Sequence, residues 1–146
     1  MSAAQFALVA LFALGVSSQA QADEFDAGAF VVHYTALSTQ QLTPAIAASY
    51  GITRSANRAL LNVAVLRKGK GTTGIPVAAQ VSVTAVSGTG QFIPVSMQRI
   101  DEPPSIYSIG EFTVGEADTV TFEITVVPEG SLKPIRLRLQ QQFFAR

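Results

Sequence analysis

From Ala29 onward, apolar and polar residues alternate in short runs separated by turn residues. In Ala29–Leu37, Phe30, Val32 and Tyr34 fall on one face and Val31, His33 and Thr35 on the other. Ala59–Leu66 is apolar on both faces except at Asn62, the pattern of a central strand. Val77–Val86 alternates cleanly, and Gln91–Ile100 reads as the next strand, its Pro94 assigning it to an edge or a bulge because proline donates nothing to a ladder. Ile106–Val114 contains an interrupting Gly110. Val120, Phe122, Ile124 and Val126 then alternate with threonines and Glu123, and Ile135, Leu137 and Leu139 alternate with Arg136, Arg138 and Gln140.

Turn chemistry separates these runs. Arg67–Gly74 is glycine-rich and basic, Ser87–Gly90 and Gly115–Asp118 are short turns, Asp101–Ser105 reads as a rigid proline loop, and Pro128–Ser131 closes the last hairpin. The Arg67–Gly74 turn resembles a phosphate loop only superficially, because it joins two strands and lacks the G-x-x-x-x-G-K-[ST] order. The reading is all-β: an antiparallel, immunoglobulin-like β-sandwich of about seven strands, with one short helix in the first long connection. An eight-stranded barrel is the alternative.

That first connection, between Leu37 and Ala59, is the most individual part of the chain. Thr43 followed by Pro44 predicts a helix start, with a hydroxyl cap and proline at the first helical position, and Gly51 predicts the stop. Ile46 and Tyr50, four residues apart, give this turn a face to dock on the sheet. The segment after it places Arg54 and Arg58 ahead of the next strand. A long polar connection either packs on the sheet or carries a site.

The amino-terminal residues alter the picture of location. Phe6–Val16 is an apolar run too short to span a bilayer, and Ser17–Ala22 supplies the small residues and A-x-A pattern of signal-peptidase cleavage before Asp23. The expected organisation is a signal peptide over residues 1–22 and one sandwich domain over 23–146, located in the periplasm without stable membrane insertion after cleavage. Asp23–Gly28 reads as a mobile acidic lead-in. No Lys or Arg precedes Arg54, so the positive leader region is only the amino terminus, which points to a true start slightly upstream and keeps an uncleaved anchor as the alternative.

The sequence has no cysteine, which excludes disulfides, thiolate catalysis and lipid attachment through cysteine. Ten acidic and ten basic residues balance, giving no support to nucleic acid as a partner. The single histidine, His33, has no G-x-S-x-G serine and no second histidine to build a hydrolytic or zinc site, so the expectation is a protein that is not an enzyme and carries no cofactor or metal. A strand histidine hydrogen-bonded beside Tyr34 is the simpler reading.

Arg54 and Arg58 form a candidate two-point clamp for a carboxylate or phosphate, with Asn57 adding hydrogen bonds and Tyr50, Tyr34 and His33 nearby. The competing reading has these arginines bonding carbonyls or pairing with Asp101 and Glu102 to tie the connector down. The functional expectation is a non-catalytic binding module for an envelope protein or a small anionic ligand. The alternatives are an activity centred on His33 and strand addition at an edge such as Gln91–Ile100.

Four motifs carry a resemblance: H-Y-x-A-x-x-[ST] at His33–Thr39, L-T-P-x-[IV]-A at Leu42–Ala47, Y-G-I-x-R-S-x-N-R-x-L-L-N-[IV] at Tyr50–Val63, and V-x-P-x-G at Val126–Gly130. Together they resemble the bacterial envelope family named domain of unknown function 4426, DUF4426, over about His33–Phe144. The Tyr50–Val63 string is the most specific. The family pattern has paired tyrosines near Tyr107-Ser108 and ends in Phe-Tyr, where this chain has Tyr-Ser and Phe143-Phe144. The resemblance implies a small secreted or periplasmic β-rich protein of Gram-negative bacteria, with no activity assigned to it.

Overall fold

The computed structural model describes residues 23–71 and 74–144; the expected leader over residues 1–22 lies outside them. Among the described residues, ten strands form two antiparallel sheets stacked as a sandwich, rather than about seven strands. The first sheet runs in the order β1 (Asp23–Ala27), β2 (Phe30–Ser38), β3 (Arg58–Arg67), β8 (Ser105–Thr113), β7 (Gln98–Glu102), with β4 (Ile75–Pro76) also paired to β3. The second runs β10 (Ile135–Phe143), β9 (Asp118–Pro128), β5 (Ala79–Val86), β6 (Phe92–Ile93). Asn62 does mark a central strand, since β3 lies between β2 and β8.

Two expectations about strands are corrected. The acidic lead-in is a strand: β1 pairs with β2 from Asp23↔Tyr34 to Ala27↔Phe30. Gly28, at φ 72°, makes the turn between them, and its N–H donates to Asp26 Oδ1 at 3.1 Å. Lys68 hydrogen-bonds Asp26 at 2.7 Å, which, with the Gly28 N–H, holds that carboxyl below its usual range.

Gln91–Ile100 is likewise not one strand. Phe92–Ile93 pairs with β5 in the second sheet, whereas Gln98–Glu102 pairs with β8 in the first. Pro94 follows the last paired residue of β6, and there the chain leaves one sheet for the other. The crossing segment rides over Gly110, where a Cβ would stand 2.6 Å from Met97 Sδ and 3.0 Å from the Ser96 carbonyl oxygen. Gly110 therefore does not interrupt β8, which pairs through it to Leu61; it makes room for the crossover. The expected Asp101–Ser105 loop is tighter than a loop, with Pro103-Pro104 turning between β7 and β8.

Inward residues of both sheets make the main core, including Val32, Ala36, Leu61, Val63, Phe122 and Ile124. Phe112, Phe122 and Phe143 pack edge to face in one trio, with centroids 5.2 to 6.5 Å apart. A second, smaller core lies on the other face of the first sheet. The connector covers that face through Leu42, Ile46, Ala47 and Ile52, which pack on Leu37, Leu60, Tyr107 and Ile109. Its short helix, α1 (Pro44–Ser49), begins as the sequence predicts, with the Thr43 side chain accepting from the Ile46 N–H. No helix among the described residues is long and apolar enough to cross a membrane.

Candidate functional site

The connector is tied to the sheet at a buried hydroxyl. Thr39 is 0% exposed; its Oγ1 accepts from the Ser55 N–H at 2.9 Å and lies 3.0 and 3.1 Å from the carbonyl oxygens of Ser55 and Arg58. Arg54 reaches back across the loop, donating from Nε to the Leu42 carbonyl at 2.7 Å and from Nη2 to the Gln40 carbonyl at 3.1 Å. Arg58 pairs through Nη2 with Glu111, not with Asp101 or Glu102. The Asn57 side chain accepts from Ser55 Oγ, and the Asn57 backbone carbonyl accepts from the Val114 N–H at 2.8 Å. The two guanidinium groups thus stand four residues apart in sequence but serve different protein acceptors.

Tyr50 joins a cluster of three hydroxyl and carboxyl groups. Its hydroxyl donates to Glu102 Oε2 at 3.0 Å and hydrogen-bonds the Tyr107 hydroxyl, which itself lies 3.3 Å from the same Glu102 oxygen. The rings meet edge to face at 6.4 Å. Burial, then the bond to Tyr50, then the Glu102 charge hold the Tyr107 phenol far above its usual range, and burial chiefly raises Tyr50. Both phenols therefore remain protonated donors at neutral pH, and the cluster pins the end of α1 to the β7–β8 hairpin. Sequence reasoning singled out Tyr50 but missed Glu102 and Tyr107. The available signal was hairpin parity: Ile100 faces Tyr107 and Glu102 faces Ser105, so Glu102 and Tyr107 lie diagonally on one face.

His33 and Tyr34 stand apart from that cluster, on opposite faces of β2. His33 Nδ1 lies 3.6 Å from Glu24 Oε1 on the neighbouring β1. Tyr34 packs against the main core, where burial, then the charge of Asp23 opposite it, raises its phenol. The structure therefore does not gather the expected six residues into one site. Among the described residues, no group of three or more His, Asp or Glu side chains is placed to hold a metal ion.

A more open arrangement lies between the sheets. β5 pairs with β9 along its whole length but with β6 only at Ala85 and Val86. Beyond Pro94 the neighbouring strand position is vacant, and a cleft of about 710 Å³ opens there. Ala79 and Val81 line it from the second sheet, Arg99 and Ser108 from the first, Met97 from the crossing segment between them, and Glu129 from the β9–β10 turn. Ala79, Val81, Val83 and Met97 are only partly buried although they belong to the core-facing set. The Arg99 guanidinium donates to Asp101 at 3.0 Å, so that wall is self-neutralised.

The family model described as "Domain of unknown function (DUF4426)" matches residues 24–146, and the chain belongs to that family. A crystal structure of a DUF4426 family protein from Pseudomonas aeruginosa PAO1 is 28% identical, with a TM-score of 0.72 over 86% of this chain and 96% of that one. FetP of uropathogenic Escherichia coli strain F11, recombinantly expressed in the periplasm, shares the fold at 9% identity and TM-score 0.61, over 90% of this chain and 99% of its own. Copper-reconstituted P19 of Campylobacter jejuni shares it at 5% identity and TM-score 0.55, over 86% and 95%. No curated protein matches the chain.

Proposed function

We propose that this protein is a non-catalytic binding module exported to the periplasm, and that it holds a partner protein in the cleft between its two sheets. The observation that carries this reading is the incomplete neighbour of β5: core-facing Ala79 and Val81 are half-buried at an opening of about 710 Å³. A sandwich that filled its own edge would bury them. Export is supported by the leader pattern over residues 1–22, and the fold is one that the periplasmically expressed FetP also has. An anion at Arg54 or Arg58 would have to displace the carbonyls and the Glu111 carboxylate that now hold them, which favours the cleft over the connector.

The copper-bound state of the two fold neighbours does not transfer readily. Protein copper centres draw on imidazole and sulfur donors; this chain has one histidine, no cysteine and two methionines, and among the described residues no group of three or more His, Asp or Glu side chains is placed to hold a metal ion. The residues present do not fit such a centre.

A photocrosslinking amino acid placed at Val81, in the cleft, and in parallel at Thr125, on β9 outside it, tests the reading in living cells. A discrete adduct from position 81 and none from 125 is expected. No adduct, or the same set from both positions, overturns it.

A further inference from the structure

The ladder pattern of β5 specifies more than an opening. In an antiparallel pair, alternate residues direct their N–H and C=O to opposite sides of the strand. The Glu129 N–H donates to the Ala78 carbonyl at 2.8 Å, so the even-numbered residues of β5 face β9. The Ser87 N–H donates to the Gln91 carbonyl at 2.8 Å on the other side, so the odd-numbered residues face the β6 side. Ala79, Val81 and Val83 therefore turn their backbone groups to the β6 side, and the half-buried apolar side chains of Ala79 and Val81 line the cleft. Among the described residues, no strand pairs with β5 there.

The other long edges carry devices that discourage strand addition. β1 holds Asp23, Glu24 and Asp26, β7 holds Arg99, Asp101 and Glu102, and β10 holds Arg136 and Arg138. On β2, beyond the reach of β1, the Ala36 carbonyl accepts from the Gln141 side chain at 2.6 Å. The open stretch Ala79–Thr84 carries no charge at all. Its electrostatic complement is an uncharged segment, since a charged residue would lose hydration here with no counter-charge on β5.

We infer that the cleft takes an extended, uncharged segment of the partner protein, which adds to the second sheet antiparallel to β5 in the line β6 leaves at Pro94, with apolar side chains at alternate positions. This rests on the binding reading above and gives the partner its chemistry. Main-chain bonds to Ala79, Val81 and Val83 supply the affinity, and alternate side chains meeting Ala79, Val81 and Met97 supply the selectivity. The antiparallel direction places the segment's carboxyl end near Ser131.

The absence of cysteine makes a clean test possible. A Ser131→Cys variant is disulfide-linked to a peptide of alternating Thr and Val that ends in a flexible Gly-Ser spacer and a terminal cysteine. The short tether gives an effective concentration on the order of millimolar, so a weak generic strand still engages. Amide exchange at Val81 and Val83 should slow on the order of tenfold with this peptide. It should stay unchanged with a copy N-methylated at every second residue; in a Val81→Pro variant, which loses the central donor but keeps the bonds of Gln80 and Ser82 to β9, the remaining Val83 amide should likewise show no slowing. No slowing with the parent peptide, or equal slowing with the methylated copy, overturns the inference. An adduct at Val81 in cells would then still leave the broader binding reading intact. Protection of these amides before any peptide is added, together with a dimer by sedimentation, would make a second copy of this chain the occupant and also overturns it.

Discussion

The Gln141 side-chain amide donates to the Ala36 carbonyl at 2.6 Å, joining β10, an edge strand of the second sheet, to the stretch of β2 that runs beyond β1 in the first. The sandwich is thus latched on its β2–β10 side and open on its β5–β7 side. Gln141→Leu keeps the volume and leaves the Ala36 carbonyl without that donor. A loss of about 1–2 kcal/mol in urea unfolding is expected. Unchanged stability would mean that the contact is not a latch.

The tyrosine cluster gives a pH dependence of defined sign. An unfolded phenol titrates near pH 10, whereas buried Tyr107 titrates well above its usual range. Above pH 10 the folded state therefore holds a proton that the unfolded state has lost. Stability is complete below that pH and falls as pH rises, by up to about 1.4 kcal/mol per pH unit for one group. Tyr107→Phe should flatten the decline between pH 10 and 11, as read by urea midpoints. An identical decline in the variant would remove Tyr107 as its source.

Arg54→Ala removes the two donors that bind Gln40 and Leu42. Because the side chain is exposed, the expected cost is modest, about 1 kcal/mol, with crosslinking from Val81 retained. Full stability combined with loss of the adduct would return the binding surface to the connector.

Gly110→Val should be among the most damaging single changes in the first sheet. A Cβ there meets Met97 Sδ at 2.6 Å and the Ser96 carbonyl at 3.0 Å, so the crossover must shift. A cost of about 1–3 kcal/mol is expected, with increased exposure of the cleft to a hydrophobic dye. Gly110→Ala should show the same effect more weakly, because the Met97 side chain can yield.

Alternation made most of the strands and the sandwich class legible, and Thr43, Pro44 and Gly51 marked the short helix before any coordinates. What period two does not encode is which sheet a strand joins. Gln91–Ile100 reads as one strand, yet Phe92–Ile93 and Gln98–Glu102 sit in different sheets, so the vacancy beside β5 was invisible. Asp23, Glu24 and Asp26 suggested a solvated tail because their charges masked the Phe25↔Val32 register. Arg54 suggested a ligand clamp because spacing shows a donor but not its acceptor; the Leu42 and Gln40 carbonyls are supplied by a loop that folds back on itself. Glu102 and Tyr107 lay in segments read separately, although the hairpin between them places both against Tyr50.

The most direct measurement is residue-resolved amide exchange on the purified protein with no ligand added. The account predicts that the Ala79, Val81 and Val83 amides exchange at least about tenfold faster than those of Gln80, Ser82 and Thr84, because only the second set is bonded to β9. Equal protection of both sets would show that the edge is already filled, and would contradict the open site on which the proposed function rests.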